Sequence, residues 1–314
     1  MFKLISNENM KIYRRMRTWI LVVLMLIAII LVAVVLRTHQ HADPNWKQTL
    51  TTQTSQLQQS LQKKNSHLPA STVAQLKQEI QVNQYDIAHN IDPNHTTGWK
   101  FASTAENLSA LLVAFIVVIA GDVVASEFSS GTIKMLLTQT ATRTKILTAK
   151  YLAAMLFGLF MTAVMFVGSL LIGWIFFGAS GATQPQVYVD ANSHLQHMGT
   201  AAYLLMQYGF LLIQVVIIIT IAFMISAIFR SSTLAIMISI LAFLVGSTLV
   251  SALSSYAWVK YILFSYTNLT QFVVGGPQIH GLTLGFAITM LVLYFIVMNF
   301  LSWLVFVKRD VSYS

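Results

Sequence analysis

The sequence predicts an all-α protein that crosses a membrane six times, and three observations support this fold class. Of the 314 residues, 56% are hydrophobic and only 9% are charged, whereas soluble domains carry about 25% charged residues. Six apolar stretches approach or exceed the roughly 20 residues that a helix needs to cross the hydrocarbon core. The lysines and arginines cluster beside these stretches, as the determinants of membrane topology do.

The boundaries of the six predicted membrane-spanning helices follow from the apolar stretches. They are 19–36, 106–125, 151–177, 203–229, 233–253 and 282–307. The first stretch follows a cationic segment, as in a secretory signal. It is 18 residues long, however, and it ends in Val34-Val35-Leu36-Arg37 without a small-residue cleavage site. We therefore predict that it is retained as the first membrane helix.

The distribution of lysine and arginine predicts that both termini are cytoplasmic. The two short outer loops contain a single cation, Lys260, and the long first loop is disregarded because loops of that length translocate largely regardless of charge. The segments 1–18 and 308–314 are thus expected in the cytoplasm of a multi-pass protein of the cytoplasmic membrane. The cations on the predicted inner side are Lys3, Lys11, Arg14, Arg15, Arg17, Lys134, Arg143, Lys145, Lys150, Arg230, Lys308 and Arg309.

The segment 37–105 is predicted to be a small extracytoplasmic helical domain. Leu50, Leu57 and Leu61 share one helix face, and a second helical pattern follows a break near 64–69. These patterns predict a helical hairpin. Because its apolar stripe is narrow, both a solvated spacer and a ligand-binding domain remain open.

Two shorter outer segments complete the predicted topology. The segment 178–202 is rich in Gly, Ser, Thr and Gln and is predicted to be an ordinary connection. The segment 254–281 is too apolar for a free loop, but Asn268, Gly275 and Gly276 interrupt any span. We expect a pair of short re-entrant or interfacial helices here, with aromatic side chains at the depth of the headgroups.

The inner segment 126–150 has the pattern of a short amphipathic helix. Ile133, Leu136 and Leu137 lie at i, i+3 and i+4, and Thr132 is available as an N-cap. The polar side carries Lys134, Arg143, Lys145 and Lys150. Such a helix either rests on the membrane surface or docks on a cytosolic partner, and the residues alone leave both options open.

The same segment resembles the region that follows the second helix in permeases of bacterial type-2 ABC exporters, the drug, bacitracin and lantibiotic exporters. The resemblance is carried by Glu127, then Gly131-Thr132, then Leu136-Leu137, then Arg143 and Lys150. Thr140 stands where that family usually has a proline, which leaves the turn before Arg143 undetermined. The number of helices, the large first outer loop and the broken apolar region before the sixth helix extend the resemblance over nearly the whole chain.

The resemblance implies a membrane subunit of an ATP-driven exporter, with 126–150 as the segment that couples it to an ATP-binding subunit. The implied coupling residues are Glu127, Gly131, Thr132, Lys134, Leu136, Leu137, Arg143 and Lys150. The sequence has no Gly-x-x-x-x-Gly-Lys-Ser/Thr motif. ATP and Mg²⁺ are therefore expected to bind to a separate ATPase subunit. This chain itself is expected to have no enzymatic activity and to bind no cofactor. A second permease copy or a sister permease would complete the transporter.

Two other functions remain as alternatives. A non-transporting sensor or scaffold would use 37–105 to bind a ligand. A secondary carrier is disfavoured, because such carriers usually place ionisable groups at membrane depth, whereas the clearest polar residues within the predicted spans are Gln214 and Asn299. These two are expected to contribute to helix packing or to line a pathway.

Several classes of site are not supported by the sequence. The chain contains no cysteine, which excludes disulfides and thiolate metal sites. His194 and His197 have a spacing that could hold a metal ion, but the glutamate of the His-Glu-x-x-His motif is absent, and no metal site is predicted. The net charge of +9 is concentrated beside the apolar stretches, so nucleic acid is not an expected partner.

Overall fold

The structure, a computed structural model, is mainly helical and describes residues 1–40, 44–64, 70–131, 142–191, 194–229, 231–277, 279 and 281–308. In chain order its elements are α1 (Phe2–Tyr13), α2 (Met16–His39), α3 (Trp46–Lys64), α4 (Ala70–His89), α5 (Gly98–Ala105), α6 (Ser109–Ala120), α7 (Ala125–Ser129), α8 (Arg143–Phe177), β1 (Pro185–Val189), β2 (Leu195–Gly199), α9 (Thr200–Ile228), α10 (Ser232–Ala252) and α11 (Leu284–Lys308). A single 3₁₀ turn, Glu106–Leu108, joins α5 to α6.

Within the described residues, six apolar helices are long enough to cross a membrane, as the sequence predicts. They are α2, the continuous pair α5 and α6, α8, α9, α10 and α11. The helix that contains the second candidate span begins at Gly98 rather than at 106, so residues 98–105 are part of the same apolar stretch of helix. The reason is local, because the Thr97 hydroxyl accepts a hydrogen bond from the Lys100 N–H at 3.3 Å and starts the helix.

The helix α9 occupies the centre of the bundle. About two thirds of its most apolar window is buried, a larger share than in any of the other five spans. It packs against α5, α6, α8, α10 and α11. The outer helices α2, α10 and α11 instead expose long rows of Leu, Ile and Val, for example Leu31 and Ile296, which is the surface that lipid would cover.

The helices α5 and α8 approach each other through two glycines. The N–H of Gly98 donates a hydrogen bond to the Gly178 carbonyl at 3.1 Å. A Cβ atom added at Gly173 would lie 2.6 Å from the Gly98 carbonyl oxygen, and one added at Gly98 would lie 2.6 Å from the Gly178 carbonyl oxygen. Phe101 is fully buried beside this contact and stacks on Phe177. The absence of side chains at Gly98 and Gly173 therefore allows the backbones of α5 and α8 to touch.

The two ends of the bundle differ in composition. We call the end that carries Lys11, Arg15, Arg17 and Lys150 the basic end, and the end that carries Gly178 and the β-strands the hairpin end. The helix α9 runs between them, because β2 leads directly into its first residue and Ser226 near its last residue accepts hydrogen bonds from the Val124 and Ala125 N–H groups.

The hairpin end contains α3, α4 and a two-stranded sheet. The helices α3 and α4 pack together as the predicted helical hairpin, and α4 also packs against β1. The strands are antiparallel, with Pro185 opposite Gly199 and Val189 opposite Leu195. The segment 178–202 is thus more than an ordinary connection, and the sheet is an exception to the all-α prediction. Burial of Val187 and Val189, with Tyr188 between them, is the alternation typical of a strand, but it is too short to be recognised in the sequence.

The described residues of the segment 254–281 contain three single 3₁₀ turns rather than a pair of short helices. They are Ala257–Tyr261, Leu263–Tyr266 and Leu269–Phe272. Extended backbone at Ile262 and at Asn268 separates them, and the Asn268 carboxamide oxygen caps the third turn by accepting from the Thr270 N–H at 3.1 Å. These interruptions prevent a longer helix, while the buried Tyr266 and its neighbours hold the segment against α10 and α11.

A buried carboxyl group makes the stability of the hairpin end depend on pH. Asp86 on α4 is 6% exposed, and burial raises its pKa to about 6 from 3.8, although nearby Lys100 and His89 oppose the rise. Between these values the folded chain holds a proton that the unfolded chain has lost. The stability that comes from this group is therefore complete below about pH 4 and is lost as the pH rises to about 6, with an upper limit of about 3 kcal/mol.

We expect the Asp86→Asn variant to melt at a higher temperature than the native chain at pH 7.5, because it removes a buried charge. The advantage should shrink as the pH falls from 6.5 to 4.5. Thermal melting in detergent over this pH range measures both effects. Glu79→Gln, at an exposed position on the same helix, is the control, and an equal gain from that variant would contradict the assignment to Asp86.

Candidate functional site

The side chain of Lys150, in the second turn of α8, lies at the centre of a buried ion-pair cluster. It is 1% exposed. Its Nζ atom lies 2.6 Å from Glu127 Oε1 and 2.9 Å from Glu8 Oε2, and it also donates to the Val123 carbonyl at 3.3 Å. The ammonium group therefore has one acceptor for each of its three protons, which is how a lysine is tolerated in a protein interior.

A second cation completes the cluster. Lys11 Nζ lies 2.7 Å from Glu8 Oε1 and 3.0 Å from Glu127 Oε1. We call Glu8, Lys11, Glu127 and Lys150 the four-charge cluster. Its two carboxylates and two ammonium groups balance, and they join α1, α7 and α8 at one point. Glu8, Glu127 and Lys150 are withdrawn from water, whereas Lys11 is 42% exposed. Removing Lys150 would therefore leave an uncompensated charge on the buried carboxylates.

The electrostatics of the cluster favour the charged form of both groups on α1. Burial alone would favour neutral Glu8, but attraction to Lys150 and hydrogen bonds from Lys11 and Lys150 outweigh it and lower the pKa of the carboxyl. Burial likewise opposes the charge on Lys11, but the hydrogen bond to Glu8 and attraction to Glu127 raise its pKa. The pairs with Glu8 are thus complete above the ordinary carboxylate pKa and are lost only in acid.

A second charged node lies one turn away around Asp122. This carboxylate is 3% exposed and accepts hydrogen bonds from Arg15, from Arg17 and from the Ser232 hydroxyl. Burial raises the pKa of Asp122, but the bonds from Arg17 and Ser232 and the charges of both arginines reverse the effect and hold the pKa below its usual value. The node ties the start of α2 and the start of α10 to the turn that follows α6.

A small cavity of about 20 Å³ separates the two nodes. Glu127 Oε2 is buried and has no hydrogen-bond partner within the described part of the chain. A cavity of this size accommodates one water molecule. A water molecule there would satisfy the free oxygen of Glu127 and bridge the two nodes, because both Glu127 and Asp122 line the cavity.

The structure describes four of the predicted coupling residues, and they lie in different places. Glu127 and Lys150 form the ion pair described above. Gly131, just after α7, has a φ of +71°, a left-handed conformation that favours glycine. Arg143 Nη1, at the start of α8, donates to the Val307 carbonyl near the end of α11 at 3.0 Å. The remaining predicted residues lie outside the described residues: Thr132, Lys134, Leu136 and Leu137.

The two polar residues predicted within spans lie apart from this cluster. Asn299 on α11 donates to the Phe295 carbonyl at 2.9 Å and also forms a side-chain hydrogen bond with Tyr151 on α8. Tyr151 in turn shares a hydrogen bond of 2.8 Å with Thr220 on α9. Asn299 thus contributes to a polar contact between three helices, whereas Gln214 is half-buried on α9.

Sequence reasoning missed the partners that complete the site. Glu8 and Lys11 have a helical i, i+3 spacing within a segment that was assigned no structure, although this spacing is a recognisable signal. Asp122 lies near the inner end of the second predicted span, 106–125. Nothing in a linear sequence indicates that it pairs with Arg15 and Arg17, which are more than a hundred residues away.

With this geometry established, comparison with known proteins places the chain in a family. Residues 71–312 match the model of the family described as "Protein of unknown function (DUF2705)". The chain belongs to this family. It is 34% identical over 318 residues to "Uncharacterized protein YhcI" of Bacillus subtilis strain 168, covering 99% of this chain and 100% of that protein.

A second relative supports the membrane assignment of this DUF2705 member. "Uncharacterized membrane protein YdbK", also of Bacillus subtilis strain 168, is 29% identical over 214 residues, which cover 67% of this chain and 82% of that protein. Its printed name agrees with the six apolar helices. The DUF2705 member described here is thus a membrane protein with several apolar helices.

Proposed function

We propose that the chain is the membrane-spanning permease subunit of an ATP-driven ABC transporter that exports an amphipathic or lipid-soluble compound, such as a drug or an antimicrobial peptide, across the cytoplasmic membrane. One observation carries the proposal. Glu127 and Lys150 begin and end the segment that resembles a coupling segment, and their side chains meet in a buried ion pair at 2.6 Å. Both ends of the segment are thereby anchored to the same point of the bundle.

The length of α8 supports a role in transmitting motion. Its 35 residues extend over roughly 52 Å at about 1.5 Å per residue, whereas the hydrocarbon core is only about 30 Å thick. The excess at the Arg143 end would project α8 beyond the membrane on the side where the coupling segment lies. Because Lys150 joins this projection to Glu8 and Glu127, a force applied to the segment would move α1, α7 and α8 together.

The proposal defines an orientation and a set of partners. The basic end faces the cytoplasm, with both termini inside, in agreement with the distribution of lysine and arginine. A separate ATP-binding subunit with ATP and Mg²⁺ docks below residues 126–150. A second copy of the chain or a sister permease completes the pathway within the lipid membrane, and the segment 37–105 lies outside the cell.

A non-transporting sensor or scaffold remains the second candidate function. It is favoured by the cavity on α4 at the hairpin end, where a ligand has room to bind without any transport step. The two functions differ in one respect that an experiment can measure. A permease requires a nucleotide-hydrolysing partner at its basic end, whereas a sensor or scaffold does not.

The decisive experiment is purification of the tagged chain from its native membrane in mild detergent, followed by mass spectrometry. We expect a stoichiometric ATPase with a phosphate-binding Gly-x-x-x-x-Gly-Lys-Ser/Thr motif. Scrambling residues 132–141 should reduce its recovery at least tenfold, because this change removes the docking surface and leaves both anchors in place. A matched control scrambles residues 51–60 of α3, and it should retain the ATPase.

Two outcomes would contradict the proposal. The chain could purify without an ATPase under conditions in which a known exporter keeps its own. Alternatively, the two scrambled variants could retain the ATPase equally well. Either result would favour the sensor or scaffold and would direct attention to the hairpin end.

A further inference from the structure

The Asp122 node, which consists of Asp122, Arg15, Arg17 and Ser232, carries more positive charge than it neutralises. Asp122 Oδ2 accepts hydrogen bonds from both Arg15 Nη1 and Arg17 Nη2, while Asp122 Oδ1 accepts from the Ser232 hydroxyl. One carboxylate thus faces two guanidinium groups. The four-charge cluster beside the node is balanced, so the four cations and three carboxylates that line the cavity between them leave a surplus of one positive charge. This surplus belongs to the two arginines.

Both arginines of the node reach the surface. The side chains of Arg15 and Arg17 are 44% and 37% exposed, whereas the side chain of Asp122 is only 5% exposed. A guanidinium group has five N–H donors, and within the described residues Arg15 donates from a single nitrogen, Nη1. The buried carboxylate therefore holds one side of the Arg15 guanidinium in place, and the exposed side is available to a second acceptor.

The position of the node along α2 corresponds to the depth of phospholipid headgroups. Arg15 immediately precedes α2, whose 24 residues extend over roughly 36 Å at about 1.5 Å per residue. The hydrocarbon core is only about 30 Å thick. When α2 crosses the membrane, its first turn therefore lies near one edge of the hydrocarbon core, beside the phosphate groups of the lipids.

Exposed apolar side chains continue this surface toward the hydrocarbon core. Met16 and Trp19 are both exposed, and Trp19 follows Arg15 by four residues, which places it one turn further along the same side of α2. The Trp19 Nε1–H donates to the Tyr13 carbonyl at 2.9 Å and holds the ring in place. Tryptophan is enriched at membrane interfaces. A guanidinium group followed by apolar side chains matches a lipid, which joins a phosphate to acyl chains, better than it matches a soluble anion.

A simpler account is that these cations only determine topology, as cations beside membrane helices generally do. Arg14 distinguishes the two accounts, because it is exposed, adjacent to Arg15 in the chain and outside the node. A general attraction between cations and anionic lipid would act on Arg14 as strongly as on Arg15. A site built on the node instead requires Arg15, whose guanidinium is oriented by Asp122.

We propose that the Asp122 node binds the phosphate group of an anionic phospholipid. Arg15 and Arg17 donate to the phosphate oxygens, as guanidinium groups do in bidentate phosphate sites, and the glycerol and upper acyl chains lie against Met16 and Trp19. The single negative charge of the headgroup neutralises the surplus charge of the node. Because the node ties the starts of α2 and α10 to the turn that follows α6, the bound lipid stabilises the basic end. The site does not rest on the proposed export function, since neither ATP nor a partner subunit takes part.

The test measures lipid binding to the full chain, delipidated in dodecyl maltoside, by native mass spectrometry. The probes are dioleoyl phosphatidylglycerol and dioleoyl phosphatidylcholine, which share their acyl chains and differ in net charge. We expect the first phosphatidylglycerol to bind about tenfold more tightly than phosphatidylcholine and to raise the melting temperature.

Variants of Arg15 test the assignment to the node. Arg15→Gln should abolish the preference for phosphatidylglycerol. It should leave the melting temperature without lipid close to that of the native chain, because Asp122 keeps Arg17 and Ser232 as partners. Arg15→Lys keeps the charge but loses the fork of donors, so its affinity for phosphatidylglycerol should lie between those of the native chain and Arg15→Gln.

Controls separate the node from general effects of charge. Arg14→Gln and Arg37→Gln remove the same charge at exposed positions, one beside the node and one at the far end of α2, and both should bind phosphatidylglycerol like the native chain. Inorganic phosphate tests whether a soluble anion is sufficient, and it should neither displace the lipid nor raise the melting temperature. The proposal is overturned by equal affinity for the two lipids, by equal losses from Arg14→Gln and Arg15→Gln, or by displacement of the lipid by inorganic phosphate.

Discussion

Replacing Lys150 by methionine is expected to destabilise the protein by about 3–5 kcal/mol, because it removes one partner from a buried ion pair. Lys150 is 1% exposed and contacts both Glu8 and Glu127. Methionine replaces the apolar part of the lysine side chain and lacks the terminal ammonium, so the main loss is the charge. The two carboxylates would then share Lys11 as their remaining cation in the cluster. Thermal or chemical unfolding in detergent measures the loss.

The matched control for this variant is Lys145→Met, at an exposed position of the same helix. We expect it to change stability by less than about 0.5 kcal/mol, as surface substitutions usually do. The double variant Glu127→Gln with Lys150→Met should lose less stability than the sum of the single variants, by about 0.5–3 kcal/mol. Strictly additive losses would show that the two side chains do not interact.

The four-charge cluster also predicts a functional result if the export proposal holds. Glu127→Gln keeps the shape of the side chain but weakens its attraction to Lys150. The ATP-binding subunit should still co-purify, because the docking surface is unchanged, while transport falls. Loss of docking and transport together would assign the defect to folding of the segment rather than to transmission of motion.

Substituting Gly173 by alanine is the second change with a large expected effect. The added methyl group would lie 2.6 Å from the Gly98 carbonyl oxygen and 2.9 Å from Phe101 Cδ1. Because the nearest atom belongs to the backbone, α5 and α8 must separate to accommodate it. Overpacking of this kind lowers the free energy of unfolding by about 1–3 kcal/mol, and we expect a loss in the upper part of this range. A lower melting temperature in detergent measures it.

Two other helical glycines provide graded controls. At Gly158 an added Cβ meets the end of the Ile219 side chain at 2.4 Å, which can move, so alanine should cost less there than at Gly173. At Gly209 no atom lies within 4 Å, and alanine should be neutral or stabilise by about 0.5–1 kcal/mol through helix propensity. Equal melting temperatures for the three variants would disprove the close contact of α5 with α8.

Residues near the two ends of α8 show why a local sequence predicts secondary structure better than it predicts tertiary contacts. Glu127 and Lys150 could be selected from the sequence because they belong to a motif, but nothing in the sequence links them to their common partner Glu8. Gly98 and Gly173 carry no side chain and give no periodic signal, although they determine how close two helices come. The second apolar helix begins at Gly98 and not at 106. The cap from Thr97 and the burial of Phe101 favour helix here, although the segment 98–105 contains several polar residues.

The sequence by itself determined that this is a membrane protein with six apolar helices. The length and hydropathy of a helix are local properties of the sequence, and they are what a helix needs to cross the hydrocarbon core. The sequence also indicated the helical pair in 37–105. The tertiary structure alone decided which charges meet, where α5 touches α8, and that α4 packs against β1. These features depend on residues far apart in the chain, whose burial, charge balance and distances exist only after the helices have packed.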